Sequence, residues 1–405
     1  MKKVLIVGAG AQGAVLSWVL SRTDDISEVI LGDIDPNRMK EIVAINKSNK
    51  LKVEILDAAD VNGMTAFIKG GGVDLVLNAI PPQFNDQVME ACYGARTNYQ
   101  DMAGTYFPGG DRNIPVGQLK YAKKWEEASL KASILTGCDV GASNLLAREA
   151  ADELDEIDSI RIKDYNLAES EELISLWQPQ TYLEDLSLPP VIWDNGYKEV
   201  PPFGGEEEYD FPFPISTKGK VYYHTHEEPL TIPKFIGKPV KYVDFKMGEP
   251  AIMFWKSLMD LGLMSKEPVE IQGKKIIPQN VLSKLLPPTP TAMELIELIR
   301  SGKLRSRTIM TVDAYGKKDG KDLHYRLWEE IPSAAAACER IPGASDVSYA
   351  TAVQGAVFAL MMLRGQVNHT GVFPPEVFNK GERDIYYKTA KEWDIKIHKE
   401  VETIV

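Results

Sequence analysis

The first 150 positions alternate short apolar runs with amphipathic stretches. Val4, Leu5, Ile6 and Val7 read as a buried strand, and apolar residues then recur at helical spacing over 14–20. Further strands are predicted at 28–32, 52–56, 73–79, 97–102 and 132–137, and helices at 38–46, 61–69, 85–94, 121–131 and 145–154. Strands apolar throughout, separated by helices, predict a parallel sheet covered on both faces.

From Ile157 the period changes to two. Positions 159–165, 220–224, 241–245 and 306–314 alternate as half-buried strands do, which predicts a second, α+β domain with a mainly antiparallel sheet. The connections at 188–196 and 200–212 are rich in proline, acid and aromatics, the composition of surface loops covering a site or of a solvated insertion. Helices fill much of 253–304, including 292–300. Ala350, Val353, Ala356, Val357, Leu360 and Met361 then mark a long helix over 347–363 that is expected to pack back on the first domain. A helix over 385–393 and a short strand over 395–398 end the chain. The predicted division is 1–140 with 342–405 against 141–341.

The first strand runs into Gly8, Gly10 and Gly13, a G-x-G-x-x-G turn opening a helix. Gly8 allows the tight turn, Gly10 lets the backbone approach a pyrophosphate, and Gly13 brings helix and strand together. Asp33 ends the second strand about twenty residues on, where an acid meets the adenosine ribose. The fold class is therefore a Rossmann-type doubly wound sheet plus the α+β substrate domain. Cofactor-binding candidates are Gly8, Gly10, Ala11, Gln12, Gly13, Asp33, Asp35, Asp57, Ala58, Asn78, Ala79 and Pro81. Asp33 and Asp35 repel a 2′-phosphate and favour NAD; Arg38 leaves NADP open.

Tyr99 and Asp101 arrive at the same crevice, either as substrate or nicotinamide contacts or as caps of the sheet and the next turn. His224, Thr225, His226, Glu227 and Glu228 concentrate imidazole, hydroxyl and carboxylate at a strand end, where an amine can be bound and deprotonated. No metal is expected, because alternate histidines point to opposite faces. The net charge of −12, without a Lys/Arg cluster, excludes a nucleic-acid surface. No apolar run approaches membrane-spanning length and the first strand begins at once, so a cytoplasmic protein with no membrane partner is expected. Cys92, Cys138 and Cys338 are too few and too scattered for a disulfide framework. Cys138 reads chiefly as a small buried hydrophobe.

The chain resembles the saccharopine dehydrogenase-like family, and more narrowly its lysine 6-dehydrogenase and saccharopine reductase members. The resemblance rests on VLIVGAGAQG, VILGDIDP, DLVLNAIPPQFN, NYQDMAG, TGCDVGASNLLA and GVFPPE. It departs at Val140, where the family usually carries proline. It implies that Tyr99, Asp101, Cys138, Asp139 and Asn144 line the nicotinamide and substrate crevice.

The expected activity is NAD-dependent oxidation at a C–N bond of an amino acid with a second amine, with loss of the lysine ε-amine as the leading case. His224 is the first candidate base, Asp101 the second, and Tyr99 orients. Glu206, Glu207, Glu227 and Glu228 are expected to form an acidic pocket. The competing readings are a saccharopine-, opine- or carboxynorspermidine-type reductase joining an amine to a carbonyl compound, and an inactive dinucleotide sensor. A homodimer or higher homo-oligomer is expected.

Overall fold

The computed structural model describes residues 1–105 and 114–404. Six strands found the first layer: β1 (Lys2–Val7), β2 (Ile26–Asp33), β3 (Leu51–Ile55), β4 (Leu75–Asn78), β5 (Asn98–Asp101) and β6 (Lys131–Ser133). They pair in parallel in the order β6-β5-β4-β1-β2-β3, and a seventh strand, Gly371–Phe373, joins β6 from far along the chain. Val4 to Val7 of β1 are buried because both edges are paired, with Val4 opposite Val29 on one side and Leu75 on the other. Strand order reverses between β1 and β4, so a crevice opens beyond their carboxyl ends. β6 stops short of the expected 132–137. Leu135 turns to φ +61, and Asp101 takes up the freed amides, Leu135 N at 2.8 Å and Thr136 N at 3.0 Å.

The second layer is a nine-stranded sheet. Its main path runs Glu207–Asp210, Lys218–Tyr223, Val240–Gly248, Glu156–Ser170, Leu304–Lys318, Lys321–Glu330 and Lys396–Thr403. Every pair is antiparallel except Val240–Gly248 with Glu156–Ser170. Alternation along Glu156–Ser170 sends Ile160 and Ile162 into the core shared with the first layer, and Arg161 and Lys163 to the other face. The proline- and acid-rich connections form edge structure: Val191–Asp194 pairs with Tyr197–Glu199, and Glu207–Asp210 pairs with Lys218–Tyr223.

The helix Asp346–Leu363 is buried along nearly its whole length and packs on the helix Ala11–Ser21. It is long and apolar enough to cross a membrane, but it is the central core helix here. Each of its buried Val, Leu, Phe and Met side chains contributes about 1.5–3 kcal/mol over an exposed one. The last strand departs from the expected division. Residues 396–403 pair with Lys321–Glu330, because His398 stacks on Trp328 and bonds Glu330 there, so the tail serves both sheets.

Candidate active site

At the glycine loop, Gly8 sits at φ +113, and a Cβ there would lie 2.8 Å from Ala79 O. A Cβ on Gly13 would lie 1.8 Å from Gly8 O, so only hydrogen lets the helix Ala11–Ser21 start this close to the strand. Gly10 differs: a Cβ there would meet nothing within 4 Å. The loop therefore presents an open approach to a helix N-terminus, a ready anion site.

Asp33 accepts from Ala9 N at 2.6 Å and Asp35 N at 2.8 Å, which sets its carboxylate against the loop. Gln12 Oε1 is buried there without a hydrogen-bond partner. Asp35 caps the next helix through Asn37 N at 2.9 Å, and Asp57 turns back on Ala59 N, beside buried Ala58. Asn78 donates to Asn85 Oδ1 at 2.8 Å and to Tyr99 Oη at 3.1 Å, and Ala79 N donates to Val7 O, so the turn leading to Pro81 is fixed. Open amides, a bare Gly10 and an acid at the end of β2 fit a dinucleotide.

Across the crevice the strand Lys218–Tyr223 ends and residues 224–227 wrap into the helix Glu228–Phe235. The His226 ring stacks on Phe245 at 3.8 Å, and its Nδ1 lies 2.6 Å from Glu228 Oε2. Burial by itself would lower this imidazole; the Glu228 carboxylate overturns that and raises it to about 10. Ser143 Oγ holds the other Glu228 oxygen at 2.7 Å. Glu227 Oε1 accepts from Gly104 N at 2.6 Å and bridges the two layers.

His224, the first candidate base, is held differently. Its Nδ1 faces the Thr225 carbonyl at 3.1 Å, and burial, aided by the charge on His226, pushes it down to about 3. Such an imidazole is neutral at physiological pH and a weak base. His226, Glu227 and Glu228 bring ligand-type atoms within 4.8 Å of one another, a convergence that strand alternation hid. Two of those atoms already share the 2.6 Å hydrogen bond.

Carboxyl groups dominate the rest of the crevice. Burial and then the neighbouring Asp164 raise Asp139 well above the usual range. Asp164 rises to about 7 by burial, although Asn166 and Thr308 donate to it at 2.6 and 3.1 Å. Asp185 rises to about 8 for the same reason, opposed by the His226 charge. Among the described residues, His226 is the cation these groups share.

Two family models match the chain in succession, the saccharopine dehydrogenase NADP binding domain over residues 4–132 and the saccharopine dehydrogenase C-terminal domain over 137–396. The chain belongs to the saccharopine dehydrogenase family. Carboxynorspermidine synthase of Vibrio alginolyticus is 29% identical over 393 residues, covering 92% of this chain and 91% of the relative. Carboxyaminopropylagmatine dehydrogenase of Synechocystis is 26% identical over 383 residues, covering 93% and 92%. Apo saccharopine dehydrogenase (L-Glu forming) from Saccharomyces cerevisiae shares the fold, with a TM-score of 0.72 at 15% identity over 99% of this chain and all of the other. The chain is thus a saccharopine dehydrogenase-like oxidoreductase with a nicotinamide-dinucleotide-binding domain.

In this family member several predicted crevice residues are scaffold. Tyr99 is fully buried, held by Asn78 and Asn85 with its ring edge on Trp125, so it braces β5. Gln118 and Leu135 engage both oxygens of Asp101, which burial lifts to about 7. Asn144 is buried and accepts from Gly141 N at 2.9 Å, closing the start of the helix Ala142–Glu153. Cys138 donates to Glu329 from beneath the crevice, and burial raises its thiol. Thr225 Oγ1 ties its segment to Leu188 O at 3.1 Å. Glu206 pairs with Lys220, and Glu207 with Lys163 and Lys246, so of the expected acidic pocket only Glu227 and Glu228 reach the crevice. Asp164 and Glu329 were missed. Their signal is an acid at an inward position of an alternating strand, Asp164 after Ile160 and Ile162, Glu329 after Leu327.

Proposed function

We propose that the chain is a nicotinamide-dependent reductase that joins an amine to a carbonyl compound and yields a carboxylated polyamine. The observation that carries this reading is the facing set of Asp139, Asp164, Asp185, Glu227 and Glu228 around one imidazolium. A product with more ammonium than carboxylate groups suits that field, whereas an adduct with two carboxylates calls for arginine or lysine. The names of the relatives, carboxynorspermidine synthase and carboxyaminopropylagmatine dehydrogenase, describe such products.

The amine attacks only when unprotonated, and Asp139 or Glu227, both raised by burial, takes its proton. His226, charged at neutral pH, gives the proton that lets the carbonyl oxygen leave as water, and the imine forms. A dinucleotide held along the glycine loop at Gly8, Gly10 and Gly13, with Asp33 at its adenosine ribose, would supply the reducing hydride. Amine and carbonyl thus give imine and water; imine, hydride and proton give the secondary amine. Asp33 and Asp35 favour NADH as donor.

Lysine oxidation, the first expectation from the sequence, would use the same crevice in the opposite direction. The names of the relatives favour joining. Purified protein mixed with a diamine, an amino-acid semialdehyde and NADH or NADPH is expected to lose the near-ultraviolet absorbance of the reduced coenzyme, and lysine with NAD or NADP to give none. Absorbance gain in the lysine mixture alone restores the oxidative reading. Silence in both mixtures overturns both.

A further inference from the structure

The returning tail brings a carboxyl group into the core behind the His226–Glu228 pair. Glu376 sits in the turn Pro375–Val377, which packs against the helices Ala142–Glu153 and Glu228–Phe235, and its side chain is fully buried. Its Oε1 lies 2.5 Å from Thr231 Oγ1, whereas its Oε2 is buried with no hydrogen-bond partner. The charged groups that the two helices turn toward it are Arg148 and Glu228, and Arg148 is engaged by the Glu376 main-chain carbonyl at 2.9 Å and by Asp152. From Thr231 a line of fully buried polar groups leads to the histidine. Asn144 Oδ1 accepts from Gly141 N at 2.9 Å, which turns Nδ2 toward Thr231 Oγ1 at 3.4 Å. With Asn144 Oδ1 already occupied, the single Ser143 proton goes to Glu228 Oε1 at 2.7 Å rather than to Asn144 at 3.2 Å. Glu228 Oε2 then meets His226 Nδ1 at 2.6 Å.

A buried carboxylate needs donors on both oxygens, and the Glu376 Oε2 has none. A carboxylic acid fits instead: its hydroxyl donates to Thr231, whose own proton goes to Glu227 O at 3.3 Å. Burial favours the same form and pushes this group up to about 7, although the contact with Thr231 opposes the rise. A second negative charge near Glu228 is thereby avoided. We propose that Glu376 is a positioning residue for the His226–Glu228 pair, a neutral acid that orients Thr231 and Asn144 so that Ser143 donates to one Glu228 oxygen and leaves the other to the imidazole. This rests on the reductase reading for what the pair does, and adds the group outside the crevice that holds it in place.

The test is an NMR pH titration of the full chain carrying isotope-labelled histidine, with the His226 signal assigned by its loss in His226→Gln, on the wild type, Glu376→Gln, Glu376→Ala and Thr231→Val. Glutamine has an N–H to give Thr231 and carries no charge, so in Glu376→Gln the His226 signal is expected to titrate as in the wild type. Glu376→Ala and Thr231→Val cut the line at successive links and are expected to lower the proton affinity of the His226 imidazole about tenfold. Unchanged titration in the alanine and valine variants overturns the positioning role, and an equal fall in the glutamine variant overturns the neutral acid. Should the alanine variant melt early, Glu376→Leu makes the same test with the volume kept. The two proposals fail separately: a responsive His226 in a protein that turns over no amine and carbonyl pair leaves the positioning role and removes the reductase, and turnover with an indifferent His226 does the reverse.

Discussion

Lys163 and Asp164 are consecutive residues on one strand, both buried, and alternation turns them to opposite faces of the second sheet. On the outer face Lys163 Nζ lies 3.4 Å from Asp313, 3.6 Å from Glu207 and over the Tyr209 ring. Asp313 also engages Tyr209 at 2.6 Å, His324 at 2.6 Å and Arg326 at 3.1 Å. Against the burial that would raise it, these partners hold its carboxyl far below the usual range. On the inner face Asp164 has neutral donors only, and burial prevails. The same sheet thus carries a self-neutralised charge network that supports structure and an unbalanced one that awaits a cation.

Removing one member of each network separates the two cases most sharply. Asp313→Asn leaves Lys163 buried without its main partner and is expected to cost about 3–5 kcal/mol in urea denaturation. Asp164→Asn removes a carboxylate that forms no direct ion pair and feels only the shared charge of His226, and is expected to cost less than about 1 kcal/mol. Equal costs would break the comparison.

Glu228→Gln withdraws the main charge that sustains the His226 proton and leaves Glu227 and Asp139 to oppose burial, so the imidazole falls from about 10 toward its ordinary value. The alkaline limit of turnover should move down toward neutrality, with kcat at pH 8 down about tenfold. An unshifted pH–rate profile would take His226 out of the chemistry.

Stability should follow the buried carboxyl groups as pH changes. Asp101, Asp164, Glu329 and Glu376 stand near 7 and Asp185 near 8, above their unfolded values. The native chain therefore binds more protons than the unfolded one between about pH 4 and 8, and stability declines as pH rises through that window. His226 adds to the trend, since stabilisation present below its unfolded value is lost as pH rises toward about 10. Asp313 opposes it only in acid, where a depressed carboxyl loses its contribution. Melting temperatures rising from pH 6 to 9 would contradict this assignment. The smallest effect is expected from His224→Ala, with kcat within about threefold of the wild type because a neutral, weakly basic ring carries no proton; a larger loss would return His224 to the mechanism.

The dinucleotide half was legible because its signals are local: a strand, three glycines and an acid follow one another within Val4 to Asp33. The crevice was less legible. Asp164, Asp185 and Glu329 come from three separated segments, and each looks locally like an ordinary charged position. The two histidines were recognisable as a pair, but their protonation depends on whether a carboxylate, as at His226, or only a carbonyl and another imidazole, as at His224, lies beside each buried ring, which is tertiary information. The acidic stretch containing Glu206 and Glu207 looked like part of a pocket; its lysine partners, Lys163, Lys220 and Lys246, lie on other strands.

Gly371–Phe373 completes one sheet and Lys396–Thr403 the other, so both layers are finished by the same short stretch of polypeptide. A fragment ending near residue 340 would bare the margins of β6 and of Lys321–Glu330 at once, inviting strangers to pair there. Neither half is a module that can be transplanted alone. Exchange of the amine-recognising middle between relatives has to proceed by replacement inside a frame that both chain ends keep, and the two halves should unfold in a single step.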